Sequence, residues 1–238
     1  MVDDFALADL PDGVIGFKYP FCRVAEALRK EGLVGIVAMG SSSTAGRGDV
    51  LPYPYWLEMY LRRDTGNARI DVLNRGRGGE EADKELLRFD SDIFAEAPSL
   101  VIWQVGTNAV FRNKEFDFEE VVAAIAAGLD RLRSHSKDMD VMLIDPQYVP
   151  AMLVDDKADL SERMVARISA EAERVKANVF HRWALMRHWH VHNDIAFDRM
   201  IDPTDGDRLH QSDGSTLRLS RGLSDTIMKA VAAANGGT

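Results

Sequence analysis

The sequence predicts an α/β fold in which a parallel sheet of five strands is covered by helices on both faces. Five short apolar runs of strand length alternate with stretches of helical composition that are long enough to be crossover connections. The runs are nearly continuous in apolar residues, which is typical of strands buried on both faces. The 238 residues are 46% hydrophobic and 28% charged, and no repeat or linker marks a boundary. We therefore expect a single three-layer α/β/α domain over residues 1–238.

The first half of the chain is predicted to supply two strands. Gly32 is a typical helix stop, and Pro52 and Pro54 are typical of a helix start. The apolar run from Val34 predicts the first strand. The predicted elements are an irregular lead-in at 1–20, a helix at 21–31, a strand at 33–39, a proline-entered helix reaching 61, a strand at 69–73 and a helix at 80–89.

The second half is predicted to supply three more strands and a last helix. The predicted elements are strands at 100–105, 141–144 and 178–180, helices at 117–133 and 160–175, and a final helix after His210. The segment 146–156 is longer than a plain strand-to-helix turn. We interpret it as a loop that shapes a substrate mouth.

Charge and composition exclude several classes of partner. The formal charge of −9 disfavours nucleic acid and anionic membranes by repulsion. No apolar stretch approaches the roughly 18 residues that a membrane span needs. The acidic start Met1-Val2-Asp3-Asp4 is unlike a secretory signal, so the chain as given is expected in the cytoplasm, and in the periplasm or outside the cell if a signal was removed. The oligomeric state is left open.

Metal or disulfide chemistry is not expected. Cys22 is the single cysteine, so neither an internal disulfide nor a cysteine-rich metal cage can form. The histidine-rich stretch could resemble a metal cluster, but Asp194 is its one nearby carboxylate, and we interpret it as a packed aromatic helix. Its histidines are His181, His188, His190 and His192.

Small polar residues follow three consecutive predicted strands. Ser41-Ser42-Ser43 follows the first strand, Gly76 the second and Asn108 the third. The carboxyl ends of parallel strands meet at one edge of the sheet, where α/β proteins bind ligands. The serines alone are compatible with a nucleophile, a set of phosphate ligands or a helix cap.

An acid and an imidazole lie close together before the last helix. Asp207 precedes His210 by three residues, and Asp202 and Asp205 are nearby alternatives for the acid. Serine, histidine and aspartate together can carry out nucleophilic acyl transfer, in which the imidazole takes the hydroxyl proton and the carboxylate fixes its tautomer. Backbone and amide N–H donors can stabilise the oxyanion that forms.

These motifs resemble the four blocks of the SGNH or GDSL-type hydrolases, in family order. The blocks are Gly40-Ser41-Ser42-Ser43-Thr44-Ala45-Gly46, Asn74-Arg75-Gly76-Arg77-Gly78-Gly79, Gly106-Thr107-Asn108-Ala109 and Asp207-Arg208-Leu209-His210. The resemblance implies Ser42 as nucleophile, and Asp207 and His210 as the other triad members. It also implies Gly76 and Asn108 as oxyanion donors. Ser41 and Ala109 stand where family members commonly have aspartate, which leaves the triad intact.

The resemblance implies a serine esterase that needs no cofactor and acts on small-molecule or carbohydrate esters. We expect short acyl esters, such as acetyl esters, because no long apolar patch is evident. Two alternatives stay open at this point. The first is an acyltransferase that uses the same triad, and the second is a non-catalytic flavodoxin-like binder of phosphate or flavin.

Overall fold

The computed structural model describes residues 8–30, 32–135 and 139–236. Its centre is a five-stranded sheet with strand order β2-β1-β3-β4-β5, and every pairing is parallel. The strands are β1 (Val34–Gly40), β2 (Ile70–Gly76), β3 (Leu100–Gln104), β4 (Asp140–Ile144) and β5 (Asn178–Phe180). The predicted fold class is thereby confirmed.

Twelve α-helices are assigned in the described residues. They are α1 (Asp12–Ile15), α2 (Cys22–Arg29), α3 (Ser42–Ala45), α4 (Tyr53–Thr65), α5 (Ala82–Leu86), α6 (Phe89–Asp92), α7 (Thr107–Phe111), α8 (Phe118–Ser134), α9 (Lys157–Arg174), α10 (Arg182–Val191), α11 (Phe197–Met200) and α12 (Asp213–Asn235). Two 3₁₀ turns, Phe94–Glu96 and Pro150–Met152, join them. No helix in the described ranges is both long and apolar enough to cross a membrane.

The helices form a layer on each face of the sheet. Contacts group α2, α4 and α12 together, and α5, α8 and α9 together. All five residues of β3 are buried, as a central strand covered on both faces requires. The apolar runs that predicted the strands are therefore the core of the three layers.

Local sequence explains where the main helices begin and end. The Asp117 carboxylate caps α8 by accepting hydrogen bonds from the N–H groups of Glu119 and Glu120, both at 2.9 Å. Pro52 precedes α4, and Gly66 ends that helix in the left-handed conformation. The Ser212 hydroxyl caps α12. Each cap satisfies backbone groups that the helix itself leaves unpaired.

Three predictions of local structure need correction. The second strand continues to Gly76 rather than ending at residue 73, because residues 74–76 pair with 38–40 of β1. The predicted helix 80–89 is broken into α5 and the start of α6. The lead-in at 1–20 is irregular only in part. Its first seven residues lie outside the described part, but Asp12–Ile15 is helical and the Asp9 carbonyl accepts a hydrogen bond from Trp189 Nε1 at 2.7 Å.

The loops that carry the predicted site residues lie at one edge of the sheet. Ser42 begins α3 directly after β1, Gly78 and Gly79 follow β2, and Asn108 lies in α7 directly after β3. The order β2-β1-β3 makes these three strands neighbours, so their carboxyl ends are adjacent.

Candidate active site

Ser42 and His210 are in direct contact at this edge. The Ser42 hydroxyl lies 2.9 Å from His210 Nε2, and His210 Nδ1 lies 2.9 Å from an Asp205 carboxylate oxygen. A carboxylate can only accept a hydrogen bond when ionised, so Nδ1 carries the proton and Nε2 is free to accept from the serine. The geometry is that of a nucleophile, a base and an orienting acid in series.

The acid in contact with His210 is Asp205, not the predicted Asp207. One Asp205 oxygen also accepts the backbone N–H groups of Leu209 and His210, at 2.8 and 2.7 Å. The loop can fold back in this way because Arg208 adopts a left-handed backbone conformation, with φ of 54°. The Asp207 carboxylate is half exposed, and its contact is with Arg47 at 3.4 Å.

The environment of Asp205 keeps its carboxyl group ionised. Burial raises its pKa, but hydrogen bonds from His210 and Leu209 outweigh that effect and lower the pKa to about 2. The side chain therefore remains negatively charged above about pH 3, where it can hold the imidazole in one tautomer.

The prediction that the Gly76 backbone N–H stabilises the oxyanion also needs correction. Its N–H already donates to the Asn74 side-chain oxygen at 2.9 Å. A β-carbon on Gly76 would lie 2.3 Å from Ala45 N and 2.7 Å from Thr44 C. The requirement for glycine at this position is thus steric, because β2 passes directly against the helix that carries Ser42.

Replacing Gly76 with alanine is expected to lower the free energy of unfolding by about 2–3 kcal/mol, because an added methyl group would overlap backbone that cannot move without displacing α3. Gly13→Ala is the matched control, since nothing lies within 4 Å of a β-carbon there. Urea unfolding measures both variants. Equal stability of the two would contradict the steric role of Gly76.

Two further glycines follow in this loop, and Gly78 lies beside the candidate nucleophile. A β-carbon on Gly78 would lie 3.8 Å from Ser42 Cβ, and Gly79 has φ of 80° in a turn closed by the Glu80 N–H and the Arg77 carbonyl. Among the described residues, no partner accepts a hydrogen bond from the N–H of Gly78 or Gly79. Gly78 therefore has an available backbone donor beside Ser42, and Gly79 has another in the same turn.

Asn108 lies at the same loop. Its side chain is buried, and one of its amide hydrogens is donated to the Glu80 carbonyl at 2.7 Å. A side-chain amide has a second hydrogen to donate. The structure thus brings Asn108 to the loop that follows Gly79, although by a bond that the sequence did not predict.

Two buried features that sequence reasoning missed hold these loops in place. The Glu81 carboxylate joins the loops after β2 and β3, because it accepts the N–H groups of Gly106 at 2.9 Å and Ala109 at 3.0 Å. Burial raises the pKa of Glu81, while backbone donors such as Gly106 oppose the rise. Nothing in the local pattern around Glu81 distinguishes it from the exposed acids of a helix start.

The second feature is a chain of neutral polar side chains beneath the site. The Gln104 side-chain oxygen accepts from Ser41, and its nitrogen donates to Thr107, each at 3.2 Å. Thr107 contacts Gln147 at 3.1 Å, and Gln147 donates to the Leu209 carbonyl at 3.2 Å. The chain of contacts therefore connects the residue before Ser42 to the residue before His210.

The cleft beside Ser42 is small, with a volume of about 30 Å³. Its lining residues are Ser42, Ser43, Gly46, Arg47, Val50, Pro52, Tyr53, His210, Gln211 and Thr216. Of the aromatic residues after the serine loop, Tyr53 lines this cleft, whereas Tyr55 is exposed at 48%. The segment 146–156 contacts the loop that carries His210, since the Ala151 N–H donates to the Arg208 carbonyl. Its effect on substrate choice stays a prediction.

The histidine-rich stretch forms aromatic and polar contacts. His190 stacks on Phe197 with ring centres 3.9 Å apart, and His181 pairs with the buried Asp145 at 3.1 Å, which raises the pKa of that imidazole. In the described ranges, no three potential ligands among His, Cys, Asp and Glu lie together as a metal would require.

Comparison with known proteins identifies the class. The model of the Non-GDSL lipase-like family matches residues 7–233, so the chain belongs to that family. This confirms the resemblance to SGNH/GDSL-type hydrolases and the predicted class of enzyme, a carboxylic ester hydrolase. In this chain, Ser41 indeed replaces the aspartate of the GDSL motif.

Solved structures share the fold at low sequence identity. The acetylxylan esterase Axe2 from Geobacillus stearothermophilus is 18% identical, with a TM-score of 0.66 over 82% of this chain and 94% of its own. A GDSL-like lipase from Parabacteroides merdae ATCC 43184 is 15% identical, with a TM-score of 0.68 over 84% and 95%. Among curated proteins, the uncharacterized lipoprotein YqeF of Bacillus subtilis (strain 168) is 33% identical over 81 residues, which span 32% of each chain.

Proposed function

We propose that the protein is a serine esterase that removes short acyl groups, such as acetyl, from small-molecule or carbohydrate esters. The observation that carries the proposal is the contact series from Ser42 through His210 to Asp205, with 2.9 Å at both steps. In the proposed mechanism the Ser42 oxygen attacks the ester carbonyl while His210 Nε2 takes its proton. The imidazolium then protonates the leaving alcohol, and water resolves the acyl-enzyme by the same steps.

The donors for the oxyanion come from three loops. The Ser42 backbone N–H has no partner among the described residues, Gly78 lies beside Ser42 and contributes its own N–H with that of Gly79, and Asn108 contributes an amide hydrogen. Such fixed donors lower the barrier by a few kcal/mol each, roughly 10²–10³-fold in rate. The Glu81 carboxylate holds these donors in place, because it bonds the loop after β2, which carries Gly78 and Gly79, to the loop after β3, which carries Asn108.

Two observations favour different aspartates as the acid of the triad. Contact and burial favour Asp205, as described above. The Axe2 variants described as catalytic mutants include an aspartate and a histidine three residues apart in that protein, the same spacing as Asp207 and His210. We propose Asp205, because it is the carboxylate placed at Nδ1 in this chain.

Two observations support a short acyl group. The cleft beside Ser42, of about 30 Å³, favours a small acyl group over a long chain. The structurally similar Axe2 is an acetylxylan esterase, which removes an acetyl group. An acyl group of one or two carbons suits the described cleft.

We expect p-nitrophenyl acetate to be hydrolysed with a kcat/KM at least about 100-fold higher than that of p-nitrophenyl palmitate, since a long chain cannot be buried in the cleft. Release of p-nitrophenol measures both. Faster hydrolysis of the palmitate would contradict the proposed substrate class. Product analysis with a sugar acceptor present distinguishes hydrolysis from transfer, because a transferase would form a new acetyl ester.

A further inference from the structure

Two arginine side chains lie at the loops that carry the candidate site, in a protein whose net charge is −9. Arg47 lines the cleft together with Ser42, and its Nη1 lies 3.4 Å from His210 Nδ1. Arg112 follows the helix that carries Asn108, and its Nη1 would lie 3.6 Å from a β-carbon on Gly79, the residue after the glycine beside Ser42. An overall negative surface repels anions, so one guanidinium group in the cleft and a second at the neighbouring loop are a local reversal of charge.

Both arginines are only loosely neutralised. Arg47 is half exposed, and its carboxylate contacts are 3.4 Å to Asp207 and 3.6 Å to Asp205. Arg112 is 42% exposed and lies 3.7 Å from Glu115. Charge-assisted hydrogen bonds between arginine and carboxylate are normally 2.7–2.9 Å long.

The ion pairs of Arg174, an arginine of similar exposure, are tighter. Arg174 contacts both Asp130 and Glu171 at 2.7 Å. Arg47 and Arg112 therefore retain N–H donors that are available to an anion, whereas each of the three Arg174 nitrogens already contacts a protein oxygen, from Asp130, Glu171 or the Ala126 carbonyl.

We propose that Arg47 and Arg112 recognise a negatively charged group on the alcohol part of the ester. The acyl part is assigned to the cleft and an acetyl group carries no charge, so an anion that these arginines bind belongs to the alcohol part. The anion is a carboxylate or a phosphate, either of which arginine binds through paired N–H donors. This inference rests on the proposed esterase function and narrows its substrate class to acidic alcohols, such as acidic sugars.

The test compares esters of one sugar that differ in the group at C6, which is a neutral hydroxymethyl group, a carboxylate or a phosphate ester. Matched mono-acetates of methyl glucoside, methyl glucuronoside and methyl glucoside 6-phosphate are used, and acetate release is measured at low and at 0.5 M added salt. We expect kcat/KM for one or both acidic acetates to exceed that of the neutral acetate by about tenfold or more, and the advantage to shrink with salt because exposed charges are screened. Preference for the glucuronoside identifies a carboxylate ligand, and preference for the 6-phosphate identifies a phosphate.

Variants assign the preference to particular side chains. Arg112→Gln and Arg47→Gln are each expected to reduce the ratio of acidic to neutral kcat/KM by about tenfold. Arg47 also adjoins His210, so its replacement could change the rate on all three esters. Such a general effect cancels when kcat/KM for the acidic ester is divided by that for the neutral one. Arg174→Gln is the matched control of similar exposure, and it is expected to leave the ratio unchanged.

The outcomes separate the two proposals. Hydrolysis of the neutral acetate without any preference for the acidic ones overturns this inference and leaves the esterase proposal standing. A preference that neither arginine variant reduces also overturns it. If none of the three acetates is hydrolysed, both proposals are overturned.

Discussion

Ser42→Ala is expected to lower kcat on p-nitrophenyl acetate by about 10⁴–10⁶-fold, because no acyl-enzyme can form without the hydroxyl. The Ser42 hydroxyl is in contact with His210 Nε2, and in the described structure it makes no other hydrogen bond, so its loss leaves the packing of α3 unchanged. The residual rate would come from the oxyanion donors and substrate binding.

Ser43→Ala is the control for this variant. Ser43 lines the same cleft, but its hydroxyl makes no described contact with His210 or Asp205. Its replacement is therefore expected to change kcat by less than about tenfold. Circular dichroism and thermal unfolding check that both variants are folded. A larger loss in Ser43→Ala than in Ser42→Ala would mean that the neighbouring hydroxyl is the nucleophile.

Asp205→Asn is expected to lower kcat by about 10³–10⁴-fold, because an amide at Nδ1 would stabilise the wrong imidazole tautomer and could not stabilise the imidazolium. The Asp205 oxygen at Nδ1 also accepts the backbone N–H groups of Leu209 and His210, so circular dichroism and thermal unfolding check that the variant keeps its fold. Steady-state kinetics with p-nitrophenyl acetate measures the loss.

Asp207→Asn is a close control for Asp205→Asn. It removes the same charge from the same loop, and both carboxylates face Arg47, at 3.4 and 3.6 Å. We expect less than about a tenfold change in kcat, as for an exposed group without contact to the base. If Asp207→Asn is instead the damaging variant, the acid is the one that the three-residue spacing predicted.

The fold could be predicted because its signal is local. The residues of β3, which are buried on both sides, form a continuous apolar run, and caps such as Asp117 mark helix ends by their own side chains. The break between α5 and α6 and the last residues of β2 were missed. Those features depend on pairing with other elements, as when Gly76 aligns with Gly40.

The candidate site was predictable at residues that directly follow strands. Ser42 and Asn108 lie where the strand ends placed them, and His210 reaches Ser42 across 168 positions of sequence as the motif order implied. The acid and the backbone donor depend on loop shape. Sequence spacing could not show that the loop before His210 folds back onto Asp205, nor that Gly76 N–H is taken by Asn74.

The supporting residues could not be recognised from local pattern. Gln104 is part of the apolar run of β3 and Glu81 opens a short helix, so neither differs from its neighbours in type or spacing. Their roles arise from distant partners, such as the Gly106 N–H for Glu81 and Ser41 for Gln104. Long-range hydrogen bonds of this kind are visible only once the chain is folded.

The most direct test of Ser42 as nucleophile is covalent labelling with a fluorophosphonate probe, followed by mass spectrometry to locate the adduct. We predict one adduct, on Ser42, that is absent in Ser42→Ala and present in Ser43→Ala, because the probe reacts with a serine activated by a neighbouring base. An adduct on another serine, or none on a protein shown to be folded, would contradict the proposed Ser42–His210–Asp205 mechanism.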